Sequence, residues 1–476
     1  MTRPTPPDHQ LEMSGAEFTA MVDAAMERIA AHVDSLPVQP SHHLEGAAAL
    51  ARALEEPLPE RGSSLDELLH TLFNRAVPTS FNTAGPGYLA YIPGGGLLHS
   101  AVADLIADAV NRYTGVWLAA PGLVQLETNV LQWLAEIVGF PASALGVLTS
   151  GGSLANFSAV VTARVDRLPE DFLDGTMYVS DQAHHSVVKA ATLAGFPQRN
   201  VRIVPSDERF RMRLDALGAA IAKDRRAGYR PFMVVASAGT TNTGAVDDLR
   251  GLADLAATEH LWYHVDAAYG GFFALTERGR RVLAGMERAD SVTLDPHKGL
   301  FLPYGTGSLL VRDGRLLRRA HATEGAYLPA MQDRTEFVDF CQVSPELSRP
   351  FRGLRLWLPL RLVGVGAFRD ALDEKLDLAR HVSRELDRMR GIEVIVEPEL
   401  SIVVFRASGD GPDAEGTNAL NRRLLDAVNR RGRVFLTGTT VGGRFLLRVC
   451  VLSFRTHRDR IEQCLEDIRA ALTEVL

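Results

Sequence analysis

Apolar residues at Phe18, Val22, Ala25, Ile29 and Val33 recur at helical spacing behind Ser14-Gly-Ala-Glu17, whose serine and glutamate are placed for a capping box. Pro37 and Pro40 stop that helix, and a second helical stretch near Leu65–Phe73 is closed by Pro78. Two helices make no core of their own, so residues 1–80 are expected to form an arm that packs on the body or on a partner subunit. From residue 81 the pattern changes to short runs rich in Val, Ile and Tyr that alternate with helical segments. The expected strands are Gly146–Thr149, Thr176–Ser180, Val201–Val204, Phe232–Ser237, Leu261–Asp266, Ser291–Leu294 and Gly307–Val311. Between them the spacing predicts helices that include Val124–Val138, Leu154–Arg167, His185–Ala194 and Leu249–Thr258. Residues 81–350 therefore read as a large α/β domain with a mostly parallel sheet, whose chemistry belongs at the carboxyl ends of the strands. Residues 351–476 read as a smaller α+β domain: a helix at Ala367–Arg390, strands at Glu393–Val396 and Ile402–Arg406, a helix at Asn418–Arg430, a strand at Phe445–Val451 and a helix near Arg458–Leu476.

Composition narrows the class. The 476 residues carry a formal net charge of -7 and 46% hydrophobic residues, which argues against a nucleic-acid partner and is ordinary for a large globular core. Cys341, Cys450 and Cys464 are too few for a disulfide framework and form no C-x-x-C pair, so neither disulfides nor a metal is expected. No run reaches the length of a membrane span, and Met1–Gln10 has no apolar core of a secretory signal; a cytoplasmic location is expected.

Four motifs follow predicted strands. Thr149-Ser-Gly-Gly152-Ser153-Leu-Ala-Asn156 leads into a helix, and such a Gly/Ser turn lets backbone N–H groups approach an anion. It is neither G-x-G-x-x-G nor a P-loop, which counts against NAD and ATP. Ser180-Asp-Gln-Ala-His184-His185 offers an imidazole at a helix start. Trp262-Tyr-His-Val-Asp266-Ala-Ala268 ends a buried strand in a carboxylate, which needs a cation or donors there, followed by small residues that leave room for something flat. Asp295-Pro-His297-Lys298-Gly299 supplies a lysine suited to Schiff-base chemistry. A phosphate cradle, a stacking histidine, a carboxylate for a pyridinium nitrogen and a Schiff-base lysine are together the parts that pyridoxal phosphate demands.

With these motifs on the page, the chain resembles the pyridoxal-phosphate-dependent group II amino-acid decarboxylases, and among them the aromatic-L-amino-acid decarboxylases. Leu126-Glu-Thr, Phe351-Arg-Gly-Leu-Arg-Leu-Trp357 and Leu447-Arg448-Val-Cys extend the likeness over nearly the whole chain. The resemblance implies the type I fold of pyridoxal-phosphate enzymes and a homodimer with shared active sites. It implies a Schiff base at Lys298, with His184 stacked on one ring face, Ala268 on the other, and Asp266 at the ring nitrogen. It further places Gly152, Ser153 and His297 by the phosphate, Asn156, Thr240 and Thr241 near the cofactor, and Tyr91-Ile92-Pro93 at the substrate pocket. The implied reaction is loss of carbon dioxide from an amino acid to leave the amine. The segment Thr83–Ser100 holds no Lys or Arg, which favours an aromatic or apolar substrate over an acidic one.

Departures from the family pattern leave alternatives. Tyr327 resembles a tyrosine other than the family's catalytic one, whose place is best matched by Phe340 after Asp339. Related aldehyde synthases carry Phe there, so oxygen-dependent formation of an aldehyde is the alternative product; a plain packing role for Phe340 carries equal weight. Gly94-Gly95-Gly96 and Gly299 stand where the family has bulkier residues, and predict a wider pocket or a more mobile rim. Other pyridoxal-phosphate chemistry on the same fold, and a non-catalytic scaffold, are the remaining readings.

Overall fold

In the computed structural model, which describes residues 11–322, 336–408 and 414–476, seven strands form the central sheet. They are β1 (Leu145–Thr149), β2 (Gly175–Ser180), β3 (Val201–Val204), β4 (Arg230–Ser237), β5 (Trp262–Asp266), β6 (Ser291–Leu294) and β7 (Gly307–Val311), in the order β1-β7-β6-β5-β4-β2-β3. All seven sequence-based strands are present, with bounds moved by at most two residues. β7 runs antiparallel to β1 and β6, and the remaining pairs are parallel. Helices cover both faces, so β2, β6 and β7 are buried along their whole length and read as continuous apolar or small runs.

Four antiparallel strands build the second sheet: β8 (Ile392–Val396), β9 (Ile402–Ala407), β10 (Thr437–Val441) and β11 (Arg444–Cys450), in the order β10-β11-β9-β8. Its own core joins Val403, Phe405 and Val449 to Leu424 and Ile468 of the helices Ala414–Arg430 and Arg458–Val475. β10 was not expected, because Thr437-Gly-Thr-Thr-Val441 is half-buried at an edge and has no apolar alternation. Its signal was the Gly442-Gly443 pair, both at positive φ, which closes a two-residue hairpin to β11.

The helix expected at Ala367–Arg390 begins earlier, at Gly353, and runs to Asp387 with a break at Gly364 (φ 74°, ψ 157°). Pro359 and that glycine interrupt the apolar period, which hid the first half from a reading by spacing. The N-terminal helix Gly15–Ser35 carries the expected capping box: Glu17 Oε2 accepts from the Ser14 N–H at 2.8 Å. None of its residues is buried, and Phe18, Met21, Met26 and Ile29 stay exposed.

A buried ion pair ties the segment before the long helix to the helix Pro121–Val138. Glu127 and Arg349 are paired with no side-chain exposure, and Glu127 Oε2 also accepts the Gly353 N–H at 3.1 Å. The Arg349 guanidinium lies 4.8 Å from the centre of the Phe340 ring. Replacing Arg349 with Met strands the Glu127 carboxylate in the core, and a loss of about 3–5 kcal/mol is expected. Chemical denaturation of the single variant and of the Glu127→Met/Arg349→Met double variant checks this; most of the lost stability should return in the double.

Candidate active site

The carboxyl ends of β1, β2, β4, β5 and β6 open on one cavity. At its anion end the helix Gly152–Arg167 starts immediately after Gly151 with no side-chain cap, leaving first-turn N–H groups and the positive end of the helix for a ligand. A Cβ on Gly152 would lie 2.9 Å from Asp295 Oδ2, so the turn accepts no larger residue without a shift. His297 donates from Nδ1 to the Thr306 carbonyl at 2.6 Å, since that oxygen can only accept, and its other ring nitrogen is free of this bond. Burial pulls the His297 pKa down, and Asp295 opposes that shift.

Asp266 closes β5 and is satisfied by donors rather than by a cation. Its Oδ2 accepts from Asn156 Nδ2 at 3.0 Å, and its Oδ1 accepts the Ala268 N–H at 3.2 Å. His184 caps the helix His185–Leu193: its Nδ1 accepts the Ser186 N–H at 3.3 Å and sits 2.7 Å from Ser186 Oγ. Burial pulls the His184 pKa down, and Asp266 pulls it the other way.

Lys298 follows β6 on the short helix Pro296–Gly299, with Nζ 2.8 Å from Asp295 Oδ2. Burial disfavours the ammonium, but Asp295 more than offsets this, and the net pKa shift is upward. Asp295 is itself buried, and its Oδ1 has no hydrogen-bond partner among the described residues. The cavity thus sets an amine and uncapped helix N–H groups against the Asp266 carboxylate across the sheet. A planar cofactor with an anionic tail, a carbonyl for the lysine and a basic ring nitrogen fits that donor set.

Gly152, Ser153, Asn156, His184, Thr240, Thr241, Asp266, Ala268, His297 and Lys298 all line this cavity, although they come from five strand ends. Tyr91, Ile92, Pro93 and Phe340 do not. Tyr91 is half exposed at φ 48°, Ile92 and Pro93 are buried, and Phe340 is completely buried in the core. Tyr327 lies outside the described residues. Reading by motif missed Asp295, Ser186, Ser237 and Tyr269, which also line the cavity. Asp295 stood inside a quoted motif, and only its 2.8 Å approach to Lys298 gives it a role.

Three of the glycines expected to widen the pocket, Gly94, Gly95 and Gly299, do not do so, while a Cβ on Gly96 would meet only Ala84 at 3.6 Å. A Cβ on Gly94 would come within 2.8 Å of the Tyr304 ring, one on Gly95 within 2.5 Å of Phe301, and one on Gly299 within 2.7 Å of Phe272. Each small residue admits an aromatic neighbour, so the space is filled. Arg455 reaches the same segment, but its Nη1 donates to the Ala84 and Gly95 carbonyls at 3.2 and 2.9 Å. Arg448 of β11 donates to the carbonyls of Tyr91, Thr241 and Asn242, and so ties the small sheet to two loops beside the cavity.

Residues 48–408 match the family model described as the pyridoxal-dependent decarboxylase conserved domain. An aromatic-L-amino-acid decarboxylase from Bacillus atrophaeus is 36% identical over 98% of this chain and 97% of its own. A solved Oryza sativa TDC with PLP and tryptamine superposes with a TM-score of 0.92 at 28% identity, covering 100% of this chain and 99% of that one. A Catharanthus roseus tryptophan decarboxylase in complex with L-tryptophan gives 0.91 at 28% identity, over 98% and 100% of the two chains. Family match, fold and donor set agree: the chain belongs to the pyridoxal-dependent decarboxylases, enzymes of type I fold that use pyridoxal 5'-phosphate to decarboxylate amino acids.

Proposed function

We propose that this decarboxylase acts on an aromatic L-amino acid, releasing carbon dioxide and the aromatic amine, and that it works as a cytoplasmic homodimer. The observation that carries the reading is the opposition of Lys298 and Asp266 in one cavity, each held by its own partner. The aromatic preference is supported by the uncharged Thr83–Ser100 segment, by the engagement of Arg455 with backbone carbonyls, and by the names of the relatives above.

Bound pyridoxal phosphate supplies the sink for the electron pair left when the carboxylate departs. The chain's own residues do the rest. Lys298 Nζ is the amine that would hold the cofactor, and Asp295 is the counter-ion of its ammonium. Asp266, held in place by two N–H donors, would be the partner of the ring nitrogen. The N–H groups of Gly152 and Ser153, with His297, would hold the phosphate, and His184 and Ala268 would pack against the ring. Asn156, Thr240 and Thr241 complete the wall. Phe340 acts by packing beneath Arg349.

In this reading residues 1–80 are a dimerising arm, 81–350 carry the cofactor and 351–476 are the smaller domain. The exposed apolar side chains of Phe18, Met21, Ile29, Leu68 and Leu72 on two capped helices are the surface the arm offers to its partner. Sedimentation should give about twice the 51.8 kDa chain mass, falling toward one chain when Met21 and Ile29 are both replaced by Glu.

Product analysis under air tests the reaction. Tryptophan, tyrosine or phenylalanine should yield equal amounts of amine and carbon dioxide, and glutamate should turn over more slowly; aldehyde with peroxide, or faster glutamate turnover, overturns the reading. Lys298→Ala should lose the borohydride-reducible adduct together with at least about a thousandfold in kcat. Retention of either places the Schiff base elsewhere.

A further inference from the structure

Trp262, His264 and Asp266 alternate along β5 and share one face of the sheet, the face that the helix Gly152–Arg167 packs against. β6 sets Ser291 beside His264 and Thr293 beside Asp266. These groups and Asn156 are all buried, apart from the partly exposed carboxylate. In such surroundings every hydrogen needs a definite place, because no solvent absorbs a mismatch.

The order can be worked out from its two ends. An indole nitrogen only donates, and Trp262 Nε1 donates to Ser291 Oγ at 2.8 Å. An ionised carboxylate only accepts, so the amide nitrogen of Asn156 faces Asp266 Oδ2 and its oxygen faces away. That oxygen accepts from Thr293 Oγ1 at 2.8 Å and lies 3.1 Å from His264 Nε2, which must therefore carry the ring's proton. His264 Nδ1 is left as the acceptor for the Ser291 hydroxyl at 2.8 Å. Reversing the order would turn Asn156 Oδ1 against Asp266 Oδ2, two acceptors at hydrogen-bond distance. A branch follows the same rule: Asn156 Nδ2 donates to Ser186 Oγ at 3.2 Å, so the serine proton goes to His184 Nδ1.

We infer that Trp262, Ser291, His264 and Asn156 form a positioning relay of fixed polarity that sets the proton positions on His184 and holds the Asp266 carboxylate aimed at the cofactor. The inference rests on the reading of Asp266 as the partner of the ring nitrogen. His264 serves as a neutral conduit: burial depresses its pKa to about 4 against the pull of Asp266, so it adds no cation to compete with a protonated ring nitrogen. His264 and Trp262 are positioning residues, since they act on the cofactor only through Asn156 and Asp266.

Nitrogen NMR of histidine-labelled holoenzyme at neutral pH tests the polarity directly. His264 and His184 should both be neutral and protonated at Nε2; an Nδ1–H form or an imidazolium at His264 refutes the relay, whatever any variant does. Action on the cofactor is read from the resonance of nitrogen-labelled pyridoxal phosphate in variants. Ser291→Ala and His264→Leu should move the ring nitrogen toward its unprotonated position and lower kcat about tenfold with KM little changed. His264→Gln, which restores an N–H toward Asn156, should return the resonance to the wild-type position. An unchanged resonance in His264→Leu overturns the action of the relay on Asp266. An unchanged resonance in Asp266→Ala refutes instead the reading of Asp266 on which the relay depends.

Discussion

A carboxylate at the inner end of a buried strand is costly unless donors meet it, and much of the architecture follows from how Asp266 is met. β5 is covered on both faces, so its polar side chains have no water to turn to. The helix after β1 brings Asn156 to Asp266, and the same helix offers its uncapped start to an anion. One element therefore faces the cavity twice. Its first turn leaves N–H groups uncapped, and its second carries the amide that donates to Asp266. Asp295 and Lys298 repeat the principle: each lowers the cost of burying the other, and the loop after β6 holds them 2.8 Å apart.

The smaller sheet takes part through arginines. Arg448 sits in β11 but donates to carbonyls of the loops after β4 and before the helix Leu98–Val110. Arg455 clamps Ala84 and Gly95 in the same way. A guanidinium presents several N–H groups in a rigid plane, which suits it to gathering backbone oxygens from separate segments. The rim of the cavity is thereby shaped by residues whose charge is already engaged, in keeping with a substrate that brings no second carboxylate.

How much was legible beforehand depended on whether the information was local. The strands of the large sheet announced themselves as continuous apolar runs, and Lys298, His184 and Asp266 each lay in a short motif at the end of one. β10 had no such run, and the first half of the long helix was hidden by Pro359 and Gly364. Gly94 and Gly299 were misleading for a physical reason: a missing side chain marks room on the chain that carries it, but not what fills that room. Tyr304 and Phe272 fill it. Phe340 left two readings open in the sequence, and its ring, buried under Arg349, favours the packing one.

By itself the sequence determined the order of β–α units, the turns at their carboxyl ends and the chemical types gathered there, because each is encoded in a few consecutive residues. Tertiary structure decided which polar groups share protons. Asn156 and Asp266 are 110 positions apart, His264 and Ser291 are 27, and only sheet register and helix packing set them within 3.0 and 2.8 Å. Hydrogen bonds are short and directional, so no spacing along the chain predicts them across strands; they exist where the fold leaves a donor nothing else to face.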